Sequence, residues 1–123
     1  MRIVTMPQYK AEQLRGSSDT HVISIRTPGD SEAAICYQFG VVSFVAMSDT
    51  NQPEPEAVRR IVDAARLAQA KQAKNLVIHC HMGVSRSVGV ARAIAAHYGA
   101  SYESDWPGNE AVRSAVTRAL AAQ

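Results

Sequence analysis

The feature that most constrains the fold is a short apolar run that leads directly into a glycine-containing loop and a helix. Leu76-Val77-Ile78 are consecutive apolar residues, the pattern of a strand covered on both faces. The loop 80–85 contains Gly83, and apolar residues recur at helical spacing over 85–97. This order is typical of a parallel α/β sheet. Because ligands bind such sheets where strands end and helices begin, we expect a site at this loop.

The rest of the chain continues the alternation of strands and helices. Strands are predicted at 2–5, 21–26, 41–46 and 75–79, long helices at 53–73, 85–97 and 108–122, and short helices at 7–15 and 31–39. We therefore predict an α/β fold with a central, mostly parallel sheet of four or five strands and helices on both faces. No linker or repeat divides the sequence, so residues 1–123 are predicted to form a single domain.

Composition and charge exclude several classes of protein. Apolar residues make up 46% and charged residues 20%, which excludes a disordered, collagen-like or coiled-coil chain. The net charge of +2 is far below that of a dedicated nucleic-acid-binding protein, so no nucleic-acid partner is expected. No apolar run approaches the ~20 residues of a membrane span, and the N-terminus carries no apolar secretion segment. We expect a cytoplasmic protein without a membrane partner; its oligomeric state stays open.

The loop itself reads His79-Cys80-His81-Met82-Gly83-Val84-Ser85-Arg86-Ser87. Backbone N–H groups of a loop that winds around a helix N-terminus point at one oxyanion, which indicates a phosphate-binding site. Gly83 permits a backbone angle that a side chain resists. Arg86, in the first turn of the helix, brings a guanidinium that makes two parallel hydrogen bonds to phosphate oxygens. The predicted phosphate-binding residues are His81, Met82, Gly83, Val84, Ser85 and Arg86.

Cys80 is the predicted nucleophile of this loop. At a helix N-terminus near cationic groups, the pKa of a thiol falls from about 8.5 to about 3.5–7.5, so Cys80 is expected to be largely thiolate at neutral pH. Such a thiolate attacks without a separate base. Ser87 is predicted to donate a hydrogen bond to the sulfur, which helps the thiolate depart when a phosphocysteine is hydrolysed. His79 is predicted to orient the loop through its backbone and to help hold the thiolate.

The pattern His79-Cys80-x-x-Gly83-x-x-Arg86-Ser87 resembles the signature loop of the cysteine-dependent protein tyrosine phosphatase superfamily, and the element order over 20–120 resembles its small dual-specificity-like and compact prokaryotic members. The resemblance implies a tyrosine-phosphatase-like fold and catalytic roles for Cys80, Arg86 and Ser87. It implies hydrolysis of phosphotyrosine in a phosphorylated protein or peptide, with phosphoserine and phosphothreonine as further candidates. It implies no metal and no cofactor.

The same resemblance requires a general acid, an aspartate on a loop that follows an earlier strand. Asp49 follows the predicted strand 41–46 and matches that position, although Ser48-Asp49-Thr50-Asn51 is also ordinary turn chemistry. Asp105-Trp106-Pro107 resembles the Trp-Pro-Asp acid loop of large tyrosine phosphatases, but its order is reversed and it stands after the cysteine. We therefore interpret it as a turn with Trp106 in the core. Asp105 is the second choice for the acid.

Other interpretations of the cysteines and of the function stay open. His79-Cys80-His81 lacks an ordinary zinc spacing, so no metal site is predicted, and Cys36 is interpreted as a small core residue. The alternative functions are a phosphate-binding module without catalysis (a pseudophosphatase), a phosphatase of a non-protein phosphate ester, and a rhodanese-like sulfur carrier. The loop contains no lysine, whereas the loops of phosphoinositide-type relatives are often basic, and this argues against a phosphoinositide substrate.

Overall fold

The computed structural model describes residues 1–122, which form a single four-stranded sheet with helices. The strands are β1 (Arg2–Pro7), β2 (Thr20–Arg26), β3 (Val41–Ala46) and β4 (Asn75–Cys80). They lie in the order β1-β4-β2-β3, and each neighbouring pair is parallel. The predicted fold class, α/β around a central parallel sheet, is confirmed, with four strands in the sheet.

The helices are α1 (Gln8–Ala11), α2 (Pro55–Ala70), α3 (Arg86–Tyr98) and α4 (Glu110–Ala121). Local chemistry explains where the long ones begin and end. Pro55 stands in the first turn of α2, where its missing N–H costs nothing. Gly99 ends α3 in the left-handed conformation, with φ 65°. The Asn109 side chain accepts a hydrogen bond from the N–H of Val112 and so caps α4.

The two faces of the sheet are covered differently. The main hydrophobic core lies between one face and the three long helices, where alternate strand residues meet the apolar stripes of α2, α3 and α4. A smaller cluster on the other face contains Val22 and Val77, covered by the segment around Ile35 and Phe39. Helix α1 contacts β1 and β4. The sheet therefore carries its long helices on one side and a thinner, mostly irregular layer on the other.

Several of the predicted details are wrong. Residues 31–39 form no helix, and the predicted helix 7–15 is the single turn of α1. The segment 31–39 follows an irregular path and contacts the sheet through Ile35, Cys36 and Phe39. The spacing of these three residues is the same as on one face of a helix. Trp106 is 55% exposed instead of buried, because the turn that carries it lies on the surface. Cys36 is only half-buried, at the margin of the smaller cluster.

The carboxyl ends of β2, β3 and β4 lie along the same edge of the sheet, because all the strands are parallel. The segments that follow these strands begin at Thr27, Met47 and His81. This edge therefore gathers three loops that are far apart in sequence.

None of the helices within residues 1–122 is long and apolar enough to cross a membrane.

Candidate active site

Cys80 ends β4 and lies at the floor of the loop that leads into α3. Its side chain is buried, with 2% of its surface exposed. The Sγ atom lies 3.2 Å from the Ser87 Oγ and accepts a hydrogen bond of 3.3 Å from the N–H of Gly83. A sulfur that is surrounded by donors in this way is stabilised as a thiolate.

Gly83 gives the loop its shape. Its φ is 77°, in the left-handed region. A Cβ at this position would lie 2.5 Å from the backbone carbon of Met6 and from the nitrogen of Pro7, so the position has no room for a side chain. The adjoining N–H of Gln8 donates to the carbonyl oxygen of His81 at 3.1 Å. The end of β1 therefore supports the loop from one side.

Arg86 is the cation of the site and connects its three loops. Its side chain is buried, and its Nη1 donates to the Met47 carbonyl oxygen at 2.8 Å and to the Thr27 Oγ1 at 3.1 Å. The buried Nε–H has no hydrogen-bond partner among residues 1–122. Because a buried donor is costly to leave unpaired, this N–H is suited to an oxygen that arrives with a ligand. Met47 and Thr27 are contacts that the sequence alone did not indicate.

Asp49 lies beside the same loop, on the segment that follows β3. Its Oδ1 accepts hydrogen bonds of 2.8 Å from the Ser85 Oγ and of 2.8 Å from the Asn109 Nδ2. Asn109 also donates to the Thr50 carbonyl oxygen, and its backbone N–H donates to the Ser85 carbonyl oxygen at 3.0 Å. The structure thus brings the predicted acid and the predicted phosphate loop together, and Asn109 connects them.

Asn109 and Glu54 are site residues that sequence analysis missed. Glu54 accepts from the N–H of Ser48 at 2.9 Å and from its hydroxyl at 2.6 Å, which closes the loop that carries Asp49. These bonds, with the nearby Arg86 charge, lower the pKa of Glu54. Asn109 stands just before the helical repeat of α4, and an asparagine at that position indicates a helix N-cap. The contact between Ser48 and Glu54 had no comparable indication.

His79 is completely buried below the loop, and its ring forms no hydrogen bond with the Cys80 Sγ. Its Nε2 lies 2.6 Å from the Ser24 Oγ on β2, and its Nδ1 lies 3.2 Å from the carbonyl oxygen of Cys80. Burial lowers the pKa of His79, which favours the neutral ring. The ring therefore joins β4 to β2 at the position where the loop begins.

The exposed members of the loop form one wall of an adjoining cavity. His81 and Met82 line a space of about 420 Å³ together with Tyr9, Glu12 and the turn between β1 and α1. Met82 is 65% exposed and Tyr9 is 60% exposed. Val84 and Ser85 are half-buried. An apolar and partly aromatic surface therefore lies next to the loop, on the side of His81.

The electrostatics of the site favour an ionised Cys80. Burial raises the pKa of the thiol, but hydrogen bonds from Ser87 and from the backbone of Gly83 and Ser85 outweigh burial, so the pKa lies below its usual value. No group of three His, Cys, Asp or Glu side chains within residues 1–122 is arranged to hold a metal ion. The positive charge of the site comes from Arg86 and from backbone N–H groups.

We expect iodoacetate to alkylate Cys80 at a lower pH in the folded protein than in the urea-unfolded chain, because only the thiolate reacts. The measurement is the pH dependence of the alkylation rate, with the modified peptide identified by mass spectrometry. Inorganic phosphate should slow the reaction in the folded protein and have no effect in urea. A midpoint at or above that of the unfolded thiol would contradict the activation of Cys80.

Comparisons with known proteins support the fold. Neither known protein-family models nor curated proteins match the chain. Among solved structures, it is similar to the human tyrosine phosphatase-like serine/threonine/tyrosine-interacting protein, with a TM-score of 0.65 and 16% sequence identity. The similarity covers 97% of this chain and 91% of that one. The chain therefore has a tyrosine-phosphatase-like fold.

Proposed function

We propose that this chain is a cysteine-dependent phosphatase that hydrolyses phosphotyrosine in proteins or peptides. One observation carries the proposal: the loop joins a buried, hydrogen-bonded Cys80 to a buried Arg86 whose Nε–H has no partner among residues 1–122. A nucleophilic sulfur beside an available cationic donor suits in-line attack on a phosphate monoester. The phosphatase-like fold of the chain supports the same function.

The proposed reaction has two steps. In the first, the Cys80 thiolate attacks phosphorus, the S–P bond forms, the bond to the ester oxygen breaks, and Asp49 gives that oxygen a proton. In the second, Asp49 takes a proton from water, the water oxygen attacks phosphorus, and the thiolate departs as inorganic phosphate forms. Arg86 and the loop N–H groups stabilise the equatorial oxygens. The hydrogen bond between Ser87 and Sγ favours the departing thiolate.

The surroundings of the loop favour an aryl phosphate. Tyr9 and Met82 offer exposed apolar surface beside the loop, which suits the ring of phosphotyrosine. The small side chains of phosphoserine and phosphothreonine would leave that surface uncovered. These residues are therefore proposed as weaker substrates, and a non-protein phosphate ester is the remaining alternative for this site.

A second candidate function is phosphate-dependent binding without catalysis. The similar human structure is described as phosphatase-like and as an interacting protein, which favours this alternative. Against it stands Cys80, because a binding module gains nothing from hydrogen bonds that lower the pKa of a thiol. Hydrolysis decides between the two functions, because both would bind phosphate.

The proposal is tested by hydrolysis of para-nitrophenyl phosphate with reductant and EDTA present. We expect turnover that EDTA leaves unchanged, because the positive charge of the proposed site comes from Arg86 and backbone N–H groups. Vanadate should inhibit it. A folded protein that binds vanadate but hydrolyses neither this ester nor phosphotyrosine would favour the binding module. Transfer of sulfur from thiosulfate to cyanide would favour the rhodanese-like alternative.

We expect Asp49→Asn to lower turnover of phenyl phosphate by about 10²–10⁴-fold, the usual contribution of a general acid. Para-nitrophenyl phosphate should be affected far less, because its leaving oxygen needs little protonation. The measurement is kcat for both esters at the same pH and at saturating substrate.

Asp105→Asn is the matched control for this substitution, since Asp105 is an exposed aspartate on the turn before α4. It should leave both esters unaffected. An equal loss on the two esters in Asp49→Asn would contradict the role of Asp49 as the acid. A selective loss on phenyl phosphate in Asp105→Asn would transfer that role to Asp105.

A further inference from the structure

A long groove lies between α2 and α4, outside the site described above. Its volume is about 790 Å³. On the α4 side, Ala111, Ala115 and Ala119 stand at successive turns, and their short side chains leave the space between the helices open. Val58 and Val62 form the opposite wall. The groove therefore has an apolar lining, in which the three alanines are half-buried and the two valines are buried.

The groove begins at the edge of the sheet that carries the candidate site. Its near end is lined by Asn51, Gln52 and Pro53, which follow Asp49 on the same loop, and its far end by Arg66 and Ala122. Helix α4 starts directly after Asn109, which holds Asp49. From Pro55 to Arg66 the groove runs for about 17 Å, at 1.5 Å per helical residue. The groove therefore opens beside the loop that carries Asp49.

The charges along the groove are mainly positive. Arg59, Arg66 and Arg118 line it, against one acidic residue, Asp63. The Arg59 guanidinium is already held by Glu56. Arg66 and Arg118, at the far end, form no ion pair within residues 1–122, and Arg66 donates only to the carbonyl oxygen of Ala122. Two exposed guanidinium groups at the end of an apolar trough complement an acidic partner.

We propose that this groove binds an acidic stretch of the phosphoprotein substrate, an inference that rests on the proposed phosphatase function. About five residues of extended chain, at roughly 3.3 Å each, span the 17 Å of the groove. Acidic side chains about five or more residues away from the phosphotyrosine would reach Arg66 and Arg118. The groove therefore selects substrates by sequence outside the phosphorylated residue, while the loop 80–86 recognises the phosphate.

The test uses four phosphotyrosine peptides. One peptide carries three glutamates at the fifth to seventh positions before the phosphotyrosine, and a second carries them at the fifth to seventh positions after it. The other two peptides carry glutamines at the same positions. We expect one acidic peptide to have a KM about three- to tenfold below that of its glutamine partner, the range for two exposed ion pairs. The difference should shrink at high salt. Equal KM values within both pairs would overturn the proposal.

Charge reversal assigns the effect to the groove. Arg66→Glu and Arg118→Glu should each raise the KM of the preferred acidic peptide and leave kcat/KM for para-nitrophenyl phosphate unchanged. Arg15→Glu is the matched control, because Arg15 is an exposed arginine outside the groove and its reversal changes the net charge equally. If Arg15→Glu raises the KM as much as the groove variants, net charge explains the preference and the groove proposal is wrong.

Failure of the groove and failure of the phosphatase function give different results. If no ester is hydrolysed, the proposed function fails, whatever the groove does. Binding is then followed in two-dimensional NMR spectra during titration with the unphosphorylated acidic peptide. Chemical-shift changes confined to residues along α2 and α4 support the groove, and their absence with the acidic peptide at millimolar concentration overturns it. An active protein with equal KM values would lose only the groove proposal.

Discussion

Cys80→Ser is expected to remove the proposed hydrolysis of para-nitrophenyl phosphate, with kcat falling roughly a thousandfold or more, as for enzymes that lose their nucleophile. A serine hydroxyl stays protonated at neutral pH, and no base within residues 1–122 forms a hydrogen bond with the Cys80 Sγ position: His79 contacts Ser24 and the Cys80 carbonyl oxygen instead. The oxygen would occupy the position of the sulfur but would not attack.

The variant should remain folded and bind phosphate. Serine differs from cysteine by one atom, and the Gly83 N–H and Ser87 Oγ remain available to it. Thermal unfolding with and without vanadate measures both properties. Cys36→Ser is the matched control, since Cys36 is the second cysteine of the chain and lies at the margin of the smaller cluster. It should retain activity within about twofold, as expected for a half-buried residue away from the loop. Substantial activity in Cys80→Ser would contradict a phosphocysteine intermediate.

Arg86→Lys is expected to have the second largest effect, a loss of about 10²–10³-fold in kcat/KM for para-nitrophenyl phosphate. The guanidinium has enough donors to contact Met47, Thr27 and a ligand together. An ammonium group is a single point of charge. It cannot keep the contacts to the two loops and also present two parallel hydrogen bonds to phosphate. Positive charge alone should therefore not restore activity.

Arg92→Lys is the matched control on the same helix. Arg92 also carries a buried Nε without a partner among residues 1–122, and it donates to the carbonyl oxygens of Ser104 and Trp106. Its substitution should lower the midpoint of thermal unfolding and leave kcat/KM nearly unchanged. If Arg92→Lys loses as much activity as Arg86→Lys, loss of packing rather than loss of phosphate binding would explain both, and the role of Arg86 would be contradicted.

The strand, loop and helix over 75–98 were predictable because local rules determine them. Consecutive apolar residues indicate a covered strand, glycine is favoured where φ is positive, and Gly99 ends the helix. The same rules misread 31–39, where Ile35, Cys36 and Phe39 have the spacing of a helix but contact the sheet from an irregular segment. Apolar spacing records which residues face the core and does not determine the path between them.

The partners of the loop were not predictable from local pattern. Arg86 contacts Thr27 and Met47, which are 59 and 39 residues away, and Asn109 contacts Asp49 over 60 residues. The two Arg86 contacts exist because β4 lies beside β2 and β2 lies beside β3, an order that no single segment of the sequence records. Asp49 was predicted from a resemblance and from its place after a strand. The residue that holds it, Asn109, depends on where α4 packs.

The contact between Gly83 and the end of β1 has a consequence for folding kinetics. The loop that carries Cys80 is supported by Met6 and Gln8 from one end of the chain and is connected by Asn109 to the other. Contacts between such distant segments form late, because closing long stretches of chain costs entropy before the contacts repay it. During refolding, helical content should return first. The proposed phosphatase activity should return last, because it requires the loop to be in contact with segments near both ends of the chain.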